Sequence, residues 1–278
     1  MPVTRLFVER ELDAQLLAPL FAGRPVVQAL KASKHALAPR TLEERAKEKT
    51  GEARCCYLRD RDFDYEPPED LSAPVVDRKH EGRTLGWRWA RHEIENYMLE
   101  PALVAQCLGV SQDAYVQALS EAAMRIRFYE AARWAIGLAR AQLPPPYRLR
   151  THHPNRRTGA EFYLPDALDE QATAHWLSDH VSRYRENVNT ALDANSVREA
   201  YRSHTRRFTD ACLADAHSVL TWFSGKDLMK AMAAWLAAHG IDAPGAFRNK
   251  LRDWMRENPS SVVRMLPEWD ELRRRLRT

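Results

Sequence analysis

Two short apolar runs near the start of the chain each end abruptly in acid. Leu6-Phe7-Val8 is followed at once by Glu9, and Cys55-Cys56-Tyr57-Leu58 runs into Asp60 and Asp62. A short unbroken apolar run has the pattern of a strand buried on both faces, as in the interior of a parallel sheet. In open α/β sheets, functional groups gather beyond the carboxyl ends of the strands. Asp13 lies four residues beyond Glu9, where an apolar-periodic segment with Leu16, Leu17, Leu20 and Phe21 begins. Glu9, Asp13, Asp60 and Asp62 are therefore expected at one rim of a sheet. Carboxylates held so close stay ionised together mainly when a cation neutralises them. The pattern predicts a divalent-metal site, and donors that are all oxygen favour Mg²⁺, with Mn²⁺ as the substitute.

The intervening sequence fits such a sheet. Asp13–Phe21 reads as a helix, Pro25–Leu30 as a second strand and Thr41–Glu48 as a second helix. Thr41 is its expected N-cap, with Glu44 as capping-box partner. Cys55–Arg59 is the next strand, residues 62–74 form a loop, and Leu85–Trp89 is a further strand. The alternation predicts an α/β fold with a parallel sheet flanked by helices. Beyond the last strand, Glu93 and Glu95 flank Ile94. In extended backbone both carboxylates share one face; in a helix they diverge and only one reaches the site. Glu93 as a surface residue and Asn96 as a cap is the plainer reading.

These motifs together resemble the Toprim domain, whose first strand usually ends in Val-Glu-Gly-x-x-Asp and a later one in Asp-x-Asp. Here the segments are Val8-Glu9-Arg10-Glu11-Leu12-Asp13 and Asp60-Arg61-Asp62. Arg10 replaces the usual glycine, a change expected to crowd the backbone turn or set a positive charge beside the site. His92-Glu93-Ile94-Glu95-Asn96-Tyr97-Met98-Leu99 is similar to a segment of the OLD-like nuclease branch. The likeness is to Toprim-like proteins that include the nuclease subunit of the PARIS anti-phage system. The resemblance implies a Toprim-like α/β catalytic domain over residues 1–100. It implies a metal set of Glu9, Asp13, Asp60, Asp62, Glu93 and Glu95, and an ABC-type ATPase partner that restrains or releases the subunit.

From Pro101 the texture becomes helical to the end, so residues 101–278 read as a helical region. A long helix follows Ser111 or Asp113, with Tyr115, Leu119, Ala122, Ile126, Tyr129 and Ile136 as a core-facing stripe. Pro144-Pro145-Pro146 ends it. Residues 148–165 carry Arg156 and Arg157, which contact phosphates or lie on an ordinary exposed loop; His152 and His153 lack a second ligand pair for zinc. Asp169–Leu192 and Ser196–Phe223 read as two more helices. Arg198, Arg202, Arg206 and Arg207 line the second, facing nucleic acid, a partner's acidic surface or water.

Ser224-Gly225-Lys226-Asp227 is not a Walker A loop: Leu220 stands where the first glycine belongs, and Asp227 where Ser or Thr is needed. A lysine at a helix start is ordinarily a solvated one. In the OLD-like and PARIS-type proteins a late Gly-Lys leads a helix and places its lysine at the metal site. The resemblance therefore implies that Lys226 returns to the acids and stabilises charge on a pentacovalent phosphate. Phe247–Glu257 and Leu266–Leu276 read as closing helices. The final arginines, Arg273, Arg274, Arg275 and Arg277, bind phosphate or answer the helix dipole.

At 45% hydrophobic over 278 residues, the chain can bury one large or two smaller cores. No apolar stretch approaches the length of a membrane span. No signal peptide is read before the first strand, and four cysteines without a CxxC pair read as reduced thiols, so a cytoplasmic protein is expected. The net charge of +4 comes from the later part of the chain, since residues 1–100 carry slightly more acid than base. An acidic half beside a basic one suits an enzyme acting on a polyanion; a mixed solvated surface fits as well. The leading expectation is a Mg²⁺-dependent endonuclease that hydrolyses RNA, including tRNA, or DNA, as effector of an anti-phage system; a homodimer is a further expected state. The alternatives are a non-catalytic Toprim-like interaction module and a primase-like nucleotidyl transferase.

Overall fold

The first apolar run is β1 (Arg5–Val8), with Leu6, Phe7 and Val8 all buried. The computed structural model describes residues 3–31, 34–47, 55–144 and 169–277. The other strands are β2 (Val26–Ala29), β3 (Cys55–Arg59), β4 (Val75–His80) and β5 (Arg83–Arg88). They form a five-stranded sheet in the order β2-β1-β3-β5-β4. β2, β1, β3 and β5 run parallel; β4 is antiparallel to β5. β1 and β3 lie inside the sheet, and all five residues of β3 are buried, as the unbroken apolar runs predict.

The antiparallel β4 has no counterpart in the sequence reading. Its segment, Val75-Val76-Asp77-Arg78-Lys79-His80, is half-buried or exposed throughout, so an edge strand is present with little apolar signal. Glu81 and Gly82 close the β4–β5 hairpin with φ of 50° and 74°. Such a two-residue turn matches the twist of the strands it joins.

Residues 1–130 and 205–278 form one compact unit, and residues 131–204 a second. In the first unit, α1 (Glu11–Leu17) follows β1, and α2 (Leu37–Lys47) precedes β3. Phe7, Cys55, Tyr57 and Leu85 of the sheet pack with Leu37 of α2. Thr41 is not the cap of α2. It is buried a turn inside the helix, and its hydroxyl donates to Leu37 O at 2.8 Å. Glu44 instead pairs with Arg5, Arg40 and Lys47.

After β5 come α3 (Ile94–Met98), α4 (Pro101–Leu108) and α5 (Gln112–Gln142). Tyr115, Leu119 and Ala122 of α5 are buried as expected, but Tyr129 and Ile136 are 59% and 63% exposed. The expected stripe does not persist because the buried line drifts to Glu130, Ala131, Trp134 and Ala135, as a 3.6-residue period requires over a long helix. The second unit contains α6 (Glu170–Ala191) and most of α7 (Ala194–Arg207). Residues 148–165, with His152, His153, Arg156 and Arg157, lie outside the described residues.

The single helix expected over Ser196–Phe223 is three: α7, α8 (Asp210–Ala214) and α9 (Ala216–Trp222). Thr209 and Asp215 cap the later two by accepting N–H bonds at their starts. Then come α10 (Gly225–Ala231), α11 (Ala233–Ala238), α12 (Pro244–Glu257), α13 (Pro259–Met265) and α14 (Pro267–Arg277). The strands stop before residue 100, but the last seventy-odd residues still belong to the sheet's unit. Trp269 of α14 stacks 5.8 Å from Trp89, just past β5, and 5.7 Å from Tyr97 of α3. Of the terminal arginines, Arg273, Arg274 and Arg275 pair with Asp270 or Glu271 of the same helix. Among the described residues no helix is long and apolar enough to cross a membrane.

Candidate metal centre

The parallel register of β1, β3 and β5 brings their carboxyl ends to one rim. Phe7 is level with Tyr57, and Arg59 with Arg88. Glu9 leaves the end of β1 and its Oε1 accepts the backbone N–H of Asp60 at 3.1 Å. Asp13, in the first turn of α1, accepts the N–H of Arg10 at 2.9 Å. Arg10 has extended backbone, φ −128° and ψ 164°. Glycine is therefore not needed there, and the expected crowding of the turn does not occur.

The Asp60-Arg61-Asp62 turn is held from inside. Arg61 is fully buried and donates to Ala90 O at 2.9 Å, Tyr65 O at 2.5 Å and Thr221 O at 2.6 Å. Burial lowers the Arg61 guanidinium to about 10, still charged at neutral pH. Asp62 takes a left-handed conformation, φ 51°, tolerated by aspartate, and donates its N–H to His92 O at 2.9 Å. One oxygen each from Asp60, Asp62 and Glu93 lie within 4.8 Å of one another.

Glu93 and Glu95 do not diverge. Glu93 is the extended N-cap of α3, φ −152°, and Glu95 lies in the first turn, so the chain changes conformation between them. Both are buried and both reach Lys226 Nζ. Glu93 Oε2 takes a short contact from it, and Glu95 Oε2 lies 3.2 Å away. Glu93 Oε1 also accepts Ser224 Oγ at 2.9 Å and the Lys226 N–H at 3.0 Å. The expected return of Lys226 to the acids is what the structure shows, across 133 positions of chain.

Sequence reasoning missed what fixes that return. Asn96 donates to Leu220 O at 2.9 Å and to Phe223 O at 2.8 Å, while its Oδ1 accepts from Glu93 N and Gly225 N. One amide thus fastens the start of α3 to the α9–α10 turn. A Cβ at Gly225 would sit 2.8 Å from Asn96 N and Glu95 C, so only glycine permits the approach. The motif around Gly225 was visible; its partner was not.

Burial governs the titration of these acids. It pushes Asp60 well above its ordinary value, and the charges of Asp13, Glu9, Asp62 and Glu93 add to the effect. Burial also pushes Asp13 up to about 7, against the Arg10 N–H bond and with help from Glu95 and Glu9. Glu95 is raised by burial and by Glu93, with Lys226 opposing. For Lys226, burial favours the neutral amine, but Glu93 and Glu95 outweigh it and hold the ammonium above its ordinary value.

Lys226 pairs with Glu93 and Glu95; Asp60 feels its charge but makes no bond to it. It is 5% exposed, and its Oδ1 has no hydrogen-bond partner among the described residues. A buried carboxylate without a partner is costly. The donors around it are carboxylate oxygens, which suit a hard divalent cation. Asp60, Asp62 and Glu93 fit such an ion, with Glu9 at the next position of the rim.

Two of the other expected phosphate contacts lie on α7. Arg202 on α7 is exposed, 3.9 Å from Glu199, and Arg206 is exposed on the same helix. A cleft at the acids is lined by Arg10, Asp13, Asp60, Glu95, Arg248 and Arg252, among others. A scan against protein-family models and a search of curated proteins each return no match to this chain.

Proposed function

We propose that the chain is a metal-dependent nuclease of the Toprim type, related to the OLD-like branch. The observation that carries the reading is the unanswered oxygen of Asp60, buried among Asp13, Glu9, Asp62 and Glu93. A bound Mg²⁺ or Mn²⁺ would supply polarisation of the scissile phosphate and acidification of water. Asp60, Asp62 and Glu93 would hold the cation. Glu9 completes the set or takes the proton of the attacking water. Lys226, kept charged by Glu93 and Glu95, offsets negative charge gathering on the phosphorus centre. Glu93 has an oxygen within 4.8 Å of Asp60 and Asp62 and also bonds Lys226, so the lysine is positioned by a residue that would hold the metal. Glu95 and Asp13 set the charge around the site.

Further proposals rest on the motif resemblance: control by an ABC-type ATPase partner, a role in anti-phage defence and RNA, including tRNA, or DNA as substrate. The resemblance is carried by Val8-Glu9, Asp60-Arg61-Asp62, the His92–Leu99 segment and Lys226, which are linked in turn through Glu9 to Asp60, Asp60 to Glu93 and Glu93 to Lys226. A second reading is favoured by the Lys226 bridge to Glu93 and Glu95, which neutralises part of the acid without any metal. On that reading the domain is a non-catalytic scaffold.

Incubating the purified chain with labelled RNA and DNA in Mg²⁺, Mn²⁺ or EDTA tests these readings, with and without a cognate ATPase. Metal-dependent cleavage that disappears in Glu9→Ala and Asp60→Asn supports the nuclease. Cleavage that survives in Asp60→Asn overturns it, and primer synthesis from nucleotides would replace it with a nucleotidyl transferase.

A further inference from the structure

The acid floor described above creates a problem for any polyanionic substrate. Asp13, Asp60 and Glu95 line a cleft, and a phosphodiester approaching them is repelled unless cations stand nearby. Arg10, Arg248 and Arg252 line the same cleft. Arg10 is the N-cap of α1, which follows β1. Arg248 and Arg252 are four residues apart on α12, so they stand on one face, about 6 Å apart along the axis. α12 packs against α1 and α3, the helices that carry Asp13 and Glu95. The basic wall is thus built into the elements that place the acids.

The guanidinium groups are held without being used up. Arg248 stands 3.9 Å from Glu95 Oε1, too far for a closed ion pair, and is partly exposed. Arg252 donates to Asp253 Oδ1 through Nε and to Asn249 Oδ1 through Nη1, and its Nη2 lies 2.8 Å from the same Asp253 oxygen. The two bonds occupy two of the five N–H donors of a guanidinium and fix its orientation. Donors on Nη1 and Nη2 remain for a ligand. Asn249, which also lines the cleft, supplies an amide beside them.

We infer that Arg248 and Arg252 of α12, with Arg10 in the same cleft, grip the backbone phosphates that flank the scissile one. The strand is thereby held over Asp60 with no reading of its bases. This inference rests on the nuclease reading of the same site and assigns its substrate grip to residues outside the acidic motifs. Two guanidinium groups on one helical face suit adjacent phosphates, because a guanidinium offers paired donors to phosphate oxygens. Contacts of this kind fix position and are indifferent to sequence.

The test measures binding apart from chemistry. A fluorescein-labelled single-stranded 20-nucleotide DNA is titrated with the full chain in EDTA across a salt series. In parallel, hydrolysis of bis(p-nitrophenyl) phosphate in Mn²⁺ reports the metal centre without a nucleic-acid backbone. In the Arg248→Gln/Arg252→Gln variant, affinity falls about tenfold, and the slope of log K against log[salt] drops by roughly 1.4, about 0.7 for each phosphate of a single strand that is no longer neutralised. Arg248→Lys/Arg252→Lys recovers most of the slope, and hydrolysis of the small diester is unchanged in both variants. An unchanged slope and affinity in the glutamine variant overturns the grip. Loss of small-diester hydrolysis there overturns it too, since the arginines would then serve the metal centre. If the wild-type chain hydrolyses the small diester but binds the oligonucleotide no more tightly than the double glutamine variant, the grip fails and the phosphodiesterase reading stands. If neither activity nor binding occurs, both fail.

Discussion

The carboxylate of Glu9 accepts the backbone N–H of Asp60 at 3.1 Å, joining the ends of two parallel strands that are 51 positions apart in the chain. The bond fixes where Asp60 begins its turn, while the charge of Glu9 adds to the cost of ionising Asp60. Structure and function pull in opposite directions at this contact.

Substitutions at the two positions separate these roles. Glu9→Gln keeps an acceptor for the Asp60 N–H and removes a charge. Its fold stability in EDTA is unchanged or higher, while cation affinity falls. Glu9→Ala leaves that buried N–H without a partner, at a cost of about 1–3 kcal/mol. Asp60→Asn removes the charge that burial and four neighbouring acids disfavour. It raises the melting temperature of the metal-free chain by about 2–4 °C for each kcal/mol gained. It also lowers Mg²⁺ affinity by at least about 100-fold, beyond the cost of losing an outer partner of a ligand. Thermal melts in EDTA beside metal titrations check the set.

Gly225 sets the approach of Lys226 to the acids. An added Cβ meets Asn96 N and Glu95 C at 2.8 Å, both in well-packed backbone. Gly225→Ala therefore costs about 1–3 kcal/mol through overpacking, despite the better helix propensity of alanine. Gly245, near the start of α12, has nothing within 4 Å of its would-be Cβ. Gly245→Ala is neutral or stabilising by about 0.5 kcal/mol. Denaturant unfolding of the two variants makes the comparison. Cleavage falls only in the first, because the α9–α10 turn and Lys226 move with it.

Glu268 gives a pH signature away from the metal site. It is buried, accepts the Ala90 N–H at 2.8 Å and the Tyr97 hydroxyl in a short contact, and burial pushes it up to about 7 from 4.5. The folded state holds its proton more tightly than the unfolded state. The contribution to stability is therefore complete below about pH 4.5 and is lost as pH rises through about 7. Its size is on the order of 3 kcal/mol. Glu268→Gln removes this part of the slope: its stability relative to wild type rises between pH 5 and 8. Denaturant melts at several pH values read it directly.

Much of the sheet was legible because its interior strands are apolar without interruption. Leu6–Val8 and Cys55–Leu58 can be buried on both faces, and the acids after them mark the rim. β4 was not legible: an edge strand with one solvated face needs little apolar sequence, and Asp77, Arg78 and Lys79 give no apolar signal. The breaks between α7, α8 and α9 were also hidden. Thr209 and Asp215 signal caps, but Phe208, Cys212 and Val219, at steps of four and seven, keep a helical apolar spacing across them. At the site, Glu9, Asp60, Asp62, Glu93, Glu95 and Lys226 were legible as motifs. Asn96 was readable only as a local cap, because its partners Leu220 and Phe223 are 124 and 127 positions away. Arg248 and Arg252 look like any polar face of an amphipathic helix until α12 is set beside α1 and α3.

Whether the acids at this rim clasp a divalent cation decides everything proposed for the site. Isothermal titration of the metal-free chain with Mg²⁺ and Mn²⁺, at pH 6 and pH 8, tests it most directly. Asp13 is held near 7 and Asp60 is raised, so protons leave as the ion enters. The expected result is saturable uptake that is tighter at pH 8, greater proton release at pH 6 when measured in buffers of different ionisation enthalpy, and loss of both in Asp60→Asn. No uptake by the wild-type chain at either pH, or equal uptake by Asp60→Asn, would contradict it.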